Sequence, residues 1–153
     1  PDEKNLTVLL ENLKSNGATN VKVVKKGLWN MQGMLSFIQG NGAVSSVVFS
    51  DEVPAGAISI EVTTIPEFFK SQGLKKLDFV KMDIEAAEIE AISGAVEFMK
   101  TTPVNFAIAS YHLRDGQETY HTVEKLLQSA GYGYATEFTD TITTYAWPKG
   151  AGE

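Results

Sequence analysis

Apolar residues recur along the chain at two periods, one typical of helices and one typical of strands. Leu6, Leu9, Leu10 and Leu13 follow the i, i+3, i+4, i+7 spacing of an amphipathic helix from about residue 3 to residue 15. Later segments alternate between this spacing and short extended runs. The pattern predicts strands at 21–24, 34–38, 46–49, 58–62, 77–84, 104–109, 132–138 and 141–147. It predicts further helices at 65–70, 89–99 and 118–130, and a turn at 27–30.

The order of these elements predicts an α/β domain with a mostly parallel sheet. Strands that alternate with helices are joined by right-handed crossovers, which make neighbouring strands parallel. The three consecutive strands between residues 34 and 62 predict a small antiparallel excursion, and the short Thr139-Asp140 turn predicts an antiparallel final strand pair. A length of 153 residues suits a single domain.

The segment Leu77–Ile84 is apolar on both faces, as expected for a central parallel strand, and it runs directly into a helix. Three carboxylates, those of Asp83, Glu85 and Glu88, follow one another at this junction. Ligands of open parallel sheets bind outside the carboxyl ends of the strands. We therefore expect any chemistry of this chain to involve the junction.

Each of these carboxylates also has a structural interpretation. Acidic residues in the first turn of a helix interact with its dipole and cap free N–H groups, and this is the simpler explanation for Glu88 and Glu85. Asp83 lies at the tip of a buried strand and needs a partner, which is either a structural bond or a ligand. Three carboxylates would also suit Mg²⁺ or Ca²⁺, but the spacing assigns no metal ligand.

His112 follows Tyr111 at the end of the next predicted strand, on the same edge of the sheet. It could act as a general base near neutral pH, or it could be a surface imidazole. Lys81, inside the strand, is expected to pair with a nearby carboxylate. The Gly40-Asn41-Gly42 segment predicts a hairpin turn, because no helix follows it as a phosphate-binding loop requires.

Composition narrows the classes of partner. The net charge is −6 and no block of basic residues is present, so we expect neither nucleic acid nor an anionic membrane surface as a partner. No apolar run approaches the roughly 20 residues of a membrane-spanning helix. Cysteine is absent, which excludes disulfides and thiolate chemistry. These features favour a cytoplasmic protein.

The stretch from Leu77 to Ala95 resembles the signature of the FkbM family of S-adenosylmethionine-dependent methyltransferases. That signature places an Asp, a Lys, a second Asp and two Glu residues as in Asp78, Lys81, Asp83, Glu85 and Glu88, ahead of a hydrophobic helix. Residues 62–68 resemble the start of the family's preceding helix, and residues 1–17 resemble the segment after its second strand. The resemblance implies the Rossmann-like, three-layer sandwich of class I methyltransferases.

The chain departs from this family in three respects. Ala86 replaces a usual Gly, and Ser110 replaces a common Glu. The family's first strand, its glycine-rich loop and the acid that ends its second strand have no counterpart in these residues. Because the chain also begins at Pro1, we expect an N-terminally truncated, partial methyltransferase domain over residues 1–153. A sheet edge bared in this way predicts one of three outcomes: residues ahead of Pro1 that cover it, a rearrangement of these residues, or a homodimer.

The resemblance implies methyl transfer from S-adenosylmethionine to a hydroxyl oxygen of a small molecule or sugar. It implies cofactor contact and catalysis by Asp83, with substrate contact or proton transfer by Glu85 and His112. These residues alone are expected to bind the cofactor poorly. Two alternatives stay open. One is a non-catalytic remnant or assembly module of the same fold, and the other is a metal-assisted α/β enzyme that uses Asp83, Glu85 and Glu88.

Overall fold

A computed structural model describes residues 2–40, 45–50 and 52–150. The elements in chain order are α1 (Glu3–Ser15), β1 (Gly27–Leu28), β2 (Gly33–Ile38), β3 (Ser46–Val47), β4 (Ile58–Thr63), α2 (Ile65–Ser71), β5 (Phe79–Met82), α3 (Glu88–Ser93), α4 (Val96–Met99), β6 (Asn105–Ala109), β7 (Leu113–Arg114), β8 (Gln117–Glu118), α5 (Tyr120–Ser129), β9 (Tyr132–Phe138) and β10 (Ile142–Pro148). Most of the predicted turn at Gly40-Asn41-Gly42 lies outside the described residues. Within those ranges, no helix has the length and apolarity needed to cross a bilayer.

Local signals determine where the first two helices begin. The Asp2 carboxylate accepts a hydrogen bond of 3.0 Å from the Asn5 N–H and so caps α1. The Thr64 hydroxyl accepts one of 3.1 Å from the Glu67 N–H, and Pro66 occupies the first turn of α2. The predicted start of α2 is therefore confirmed, as is the predicted span of α1.

The strands form two four-stranded mixed sheets and one small hairpin. The N-terminal sheet has the order β1-β4-β2-β3, and only its β1–β4 pair is parallel. The C-terminal sheet has the order β5-β6-β10-β9, and only its β5–β6 pair is parallel. The hairpin joins β7 to β8. The fold is thus mixed α/β.

The prediction of a mostly parallel sheet is wrong for the part of the chain that the structure describes. The antiparallel excursion and the antiparallel final pair are both confirmed, and together they supply most of the strand pairings. Only the crossover through α3 and α4 joins two sequential, parallel neighbours, β5 and β6. Short connections therefore decided the sheet type more than the alternation of strands and helices did.

The predicted strand at 21–24 is also wrong. Residues 21–26 have no regular secondary structure, and Val21 is half exposed. Gly27 and Leu28, predicted as a turn, instead pair with Val62 and Thr63. A short β-branched run forms a strand only where a neighbour pairs with it, so pairing outweighed local propensity here.

The segment Leu77–Ile84 is shorter and less buried than predicted. Only Phe79–Met82 is a strand, and it lies at the edge of the C-terminal sheet. Met82 is buried, but the Phe79 side chain is 55% exposed. The prediction of a central strand covered on both faces is therefore wrong, because β6 is the only strand that pairs with β5 in the described sheet.

The predicted helix over 89–99 is interrupted at Gly94-Ala95, which separates α3 from α4. A Cβ added at Gly94 would lie 2.7 Å from the Asn30 Cα and 3.1 Å from the Trp29 carbonyl oxygen. The chain therefore packs backbone against backbone at this point, which only glycine permits. Here the helices of the C-terminal half meet the N-terminal sheet.

Candidate functional site

Asp83 and His112 lie close together because they follow adjacent parallel strands. Asp83 comes directly after β5, and His112 lies three residues beyond β6, with Met82 in register with Ile108. His112 Nε2 is 3.7 Å from Asp83 Oδ1 and 3.6 Å from Glu85 Oε2. The carboxyl ends of parallel strands thus gather the three residues that the sequence singled out. Their catalytic roles stay predictions.

Glu88 is the fourth residue of this group, beside Asp83, Glu85 and His112. It is the first residue of α3 and is fully buried, although it carries a carboxylate. Its Oε1 accepts a hydrogen bond of 2.7 Å from the Ile84 N–H, while its Oε2 has no hydrogen-bond partner. A backbone-capping role is therefore present, as the simpler interpretation expects, but it occupies only one of the two oxygens.

His112 is buried, with 8% of its side chain exposed, so the alternative of a surface imidazole is wrong. Its Nδ1 lies 3.4 Å from Glu88 Oε1, an ion-pair distance without hydrogen-bond geometry, and neither ring nitrogen makes a hydrogen bond. Burial by itself lowers the pKa of the imidazole. Glu88, Glu85 and Asp83 outweigh that effect and raise the His112 pKa above its ordinary value.

Tyr111 is a member of the site that sequence reasoning did not select. Its hydroxyl donates a hydrogen bond of 3.4 Å to Asp83 Oδ1, and its ring stacks on that of His112 with centroids 4.2 Å apart. Burial, followed by the charges of Asp83 and Glu85, raises the pKa of the Tyr111 hydroxyl. Tyr111 therefore stays a neutral donor to the acidic group.

The loop between β5 and α3 has an unusual backbone. Glu85 has φ 56° and Ala86 has φ 72°, two consecutive non-glycine residues in the left-handed region. Such conformations cost about 1–2 kcal/mol each for residues with a Cβ and tend to occur at functional sites. The position at which the resembling family usually carries Gly thus requires a positive φ here.

Arg114 anchors this loop from the β7–β8 hairpin. Its Nη1 donates to the Ala86 carbonyl oxygen at 3.1 Å, and its Nη2 pairs with Glu90 at 2.9 Å. Its guanidinium lies 3.6 Å from the centroid of the Phe49 ring, which belongs to the N-terminal half. The Asp115-Gly116 dipeptide, with positive φ at both residues, is the hairpin signal that could have located Arg114.

A cleft of about 350 Å³ opens beside the acidic group, between the loop and the N-terminal sheet. Its charged lining comes from three acidic residues, Asp2, Asp83 and Glu85, and from Lys26, which pairs with Glu61. Its apolar lining comes from Leu28, Phe37, Val47 and Ile60. The arrangement can accept a ligand that carries positive charge at one end and an apolar ring at the other.

Lys81 forms the expected pair with a nearby carboxylate, since its Nζ lies 3.5 Å from Asp83 Oδ2. Both side chains are largely solvent-accessible, at 65% and 40%. An exposed pair of this kind contributes at most about 1 kcal/mol to stability. The pair therefore leaves Asp83 available to a ligand.

Comparison with known proteins bears on both the family and the fold. The sequence model of the family described as "Methyltransferase FkbM domain" matches residues 1–134. No curated protein sequence matches the chain. The fold is similar to a crystal structure at 2.20 Å of the methyltransferase FkbM from Methylobacillus flagellatus KT, with a TM-score of 0.63 and 20% sequence identity. The similarity covers 96% of this chain but only 34% of that chain, so these residues span about a third of the solved protein's length. The chain belongs to the FkbM methyltransferase family.

Proposed function

We propose that this chain takes part in methyl transfer from S-adenosylmethionine to a hydroxyl oxygen of a small molecule or sugar. The observation that carries the proposal is the convergence of Asp83, Glu85 and His112 at the carboxyl ends of β5 and β6, beside an open cleft. Family membership supports methyl transfer as the class of reaction. The proposal concerns the whole protein's activity.

The cleft fits the chemistry of S-adenosylmethionine. The cofactor carries a positively charged sulfonium and an ammonium group, which the carboxylates of Asp83 and Glu85 complement. Its adenine ring suits the apolar wall formed by Leu28, Phe37 and Ile60. Asp83 is therefore the residue that we assign to cofactor binding, and the bound cofactor would supply the methyl group.

The residues of the chain contribute orientation and proton removal. An acceptor hydroxyl attacks the methyl carbon in line, so a new O–C bond forms as the C–S bond breaks, and the hydroxyl proton must leave. His112 in its neutral form, or Glu85, can take that proton within the acidic group. The Tyr111 hydroxyl holds Asp83 in place while this occurs.

Cofactor titration by calorimetry tests the binding half of the proposal. S-adenosylmethionine is titrated into the 153-residue chain and into a form extended at its N-terminus with any residues that its gene encodes before Pro1. We expect weak binding by the first and tight binding by the second, since the resembling family places its glycine-rich loop ahead of this region. Failure of both forms to bind would favour a non-catalytic module and contradict the proposal.

An acceptor screen tests the reaction itself. The extended form is incubated with S-adenosylmethionine and a panel of sugars and small hydroxyl compounds, and release of S-adenosylhomocysteine is measured. We expect turnover with at least one hydroxyl acceptor, and a loss of about 10²-fold or more in the Asp83→Asn variant. Turnover only with amine or thiol acceptors would contradict the assignment of an oxygen acceptor.

A further inference from the structure

The group at the end of β5 contains a set of metal-ligating atoms that the sequence did not define. One ligand atom from each of Asp83, Glu88 and His112 can be chosen so that all three lie within 4.8 Å of one another. The sequence suggested a cation for the carboxylates Asp83, Glu85 and Glu88, and it placed His112 on the same edge of the sheet, but it assigned no ligand. The structure groups the imidazole of His112 with two of these carboxylates, those of Asp83 and Glu88.

Three buried polar atoms in this set lack a hydrogen bond. They are Glu88 Oε2 and both ring nitrogens of His112. Leaving a buried donor or acceptor unsatisfied costs about 1–3 kcal/mol, and more when the group is charged. A positive ion held by Glu88 Oε2 and one ring nitrogen of His112 would satisfy two of these atoms, and the second ring nitrogen would keep a carboxylate neighbour.

The negative charge of the group also favours a bound cation. The carboxylates of Asp83, Glu85 and Glu88 all lie within 3.7 Å of a single imidazole. A protonated imidazole and Lys81, whose Nζ lies 3.5 Å from Asp83 Oδ2, together supply two positive charges against these three acidic groups. A divalent cation compensates more of this charge without requiring His112 to be protonated.

The distances from the His112 nitrogens to the carboxylate oxygens can be compared with those of hydrogen bonds and with those of ligands that share an ion. The contacts from His112 nitrogens to carboxylate oxygens measure 3.4, 3.6 and 3.7 Å. A hydrogen bond from an imidazolium would bring these atoms to about 2.7–3.2 Å. Two ligands that share a tetrahedral ion at about 2.0–2.2 Å lie roughly 3.4 Å apart, which is the length of the contact between His112 Nδ1 and Glu88 Oε1. The two longer contacts belong to Nε2, on the other side of the ring.

We propose that Asp83, Glu88 and His112 bind one divalent first-row transition ion, with Mn²⁺ or Zn²⁺ preferred over Mg²⁺ and Ca²⁺. An imidazole ligand suits transition ions, whereas Ca²⁺ takes six to eight oxygen ligands and Mg²⁺ prefers oxygen and water. An imidazole binds an ion through one nitrogen only. The other nitrogen of His112 keeps a carboxylate neighbour, which is the arrangement that commonly orients a ligating histidine.

Three protein ligands leave coordination positions open for water or substrate. Asp83 and Glu85 both line the 350 Å³ cleft, so an open position would be reached from it. A bound ion could there hold an acceptor hydroxyl and lower its pKa, which would assist its deprotonation. This use of the ion rests on the proposed methyl transfer, whereas ion binding itself does not.

Direct binding measurements test the proposal without cofactor or acceptor. The 153-residue chain is freed of metal with a chelator, and Mn²⁺ binding is followed by electron paramagnetic resonance and Zn²⁺ binding by calorimetry. We expect one ion per chain and no displacement by an equal concentration of Mg²⁺ or Ca²⁺. We expect Asp83→Asn and His112→Asn to weaken binding by about 10-fold or more.

Two control variants match these changes. His121→Asn alters the chain's other histidine, which is exposed on α5, and Asp78→Asn alters an exposed carboxylate just before β5. Both should bind the ion as the unchanged chain does. Glu88→Gln keeps an oxygen that can accept from the Ile84 N–H, so its loss of binding would report on the ligand rather than on the cap.

Equal binding by Asp83→Asn and the unchanged chain, or no binding by the unchanged chain, would overturn the proposal. Circular dichroism confirms that each variant is folded. If His112→Asn does not fold, Asp83→Asn carries the test, because that side chain is 40% exposed. Cofactor titration in the presence of chelator separates the two proposals, since it measures cofactor binding without any ion.

Discussion

The two sheets of this protein differ sharply in how well their apolar faces are covered. Among the described residues, the C-terminal sheet packs against α3, α4 and α5 around fourteen buried residues, whereas the N-terminal sheet encloses four. Helix α1 has an apolar face but no buried residue. The C-terminal sheet therefore carries the larger core, to which Ile65 of α2 also contributes, and the candidate site lies where this core meets the less well covered N-terminal sheet.

The largest expected effect contrasts two phenylalanines on neighbouring strands. Phe106 is 1% exposed in β6, while Phe79 is 55% exposed in β5. Phe106→Ala should lower the free energy of unfolding by about 3–5 kcal/mol, because it empties a closely packed site. Phe79→Ala should change it by about 0.5 kcal/mol or less. Urea denaturation followed by circular dichroism measures both.

If the two variants lost similar amounts of unfolding free energy, the contrast between the two phenylalanines would be contradicted. The outer face of β5 would then be covered in solution. In the described part of the chain, β5 lies at the edge of its sheet, and a homodimer is one way to cover that edge. A dimer that buries Phe79 would make its stability depend on protein concentration. Repeating the titration at two concentrations therefore distinguishes a covered edge from a bare one.

The second effect concerns Gly94, where the two halves touch. Gly94 has the helical φ of −69°, so alanine suits its backbone, but the added Cβ would lie 2.7 Å from the Asn30 Cα. Gly94→Ala should therefore destabilise the protein by about 1–3 kcal/mol through this clash alone. Gly33→Ala is the control, because nothing lies within 4 Å of its added Cβ.

Thermal denaturation of both glycine variants measures this difference. If the Gly94→Ala protein were as stable as the unchanged chain, the backbone at Asn30 would have to shift at little cost to admit the added Cβ. The two halves would then be less tightly joined than the backbone contact indicates.

The third effect is a gain in stability in the loop between β5 and α3. Ala86 has φ 72°, a conformation that costs a residue with a Cβ about 1–2 kcal/mol and costs glycine almost nothing. Ala86→Gly should therefore stabilise the chain by about 0.5 kcal/mol, after allowing for the greater freedom of glycine in the unfolded state and for the loss of a buried methyl group. Chemical denaturation checks the sign, with Ala135→Gly in strand β9, where glycine is expected to destabilise, as the control. A loss of stability at position 86 would contradict the left-handed assignment.

The smallest effect lies in α1. Leu10 is 49% exposed in the middle of this helix, and glutamine has a similar helix propensity. Leu10→Gln should change the free energy of unfolding by about 0.5 kcal/mol or less. Denaturant titration measures this change. A loss above about 1 kcal/mol would contradict the prediction and show that the apolar face of α1 is covered.

Local signals in the sequence predicted the elements whose ends they control. The span of α1, the Thr64 cap of α2, the antiparallel final pair and the excursion were all recognisable. The predicted strand at 21–24 and the unbroken helix over 89–99 failed for non-local reasons. Residues 21–26 find no strand to pair with, and Gly94 meets the Asn30 backbone, which is distant in sequence.

The candidate site could also be predicted in part, because one general rule about parallel sheets applies to it. Asp83, Glu85 and His112 gather because parallel strands end at one edge, and that rule can be applied to a sequence. The burial of Glu88 and the contact of Tyr111 with Asp83 depend on packing that periodicity does not encode. The left-handed loop was hidden because Ala86, rather than glycine, occupies the position.

The central claim is that Asp83 belongs to a ligand site rather than to a structural ion pair. The most direct test is calorimetric titration of S-adenosylmethionine into the N-terminally extended chain and its Asp83→Asn and Asp78→Asn variants. We expect about 10-fold or greater weakening for Asp83→Asn and none for Asp78→Asn, because Asp83 lines the cleft and Asp78 does not. Equal cofactor affinity for Asp83→Asn and the unchanged chain would contradict the central claim.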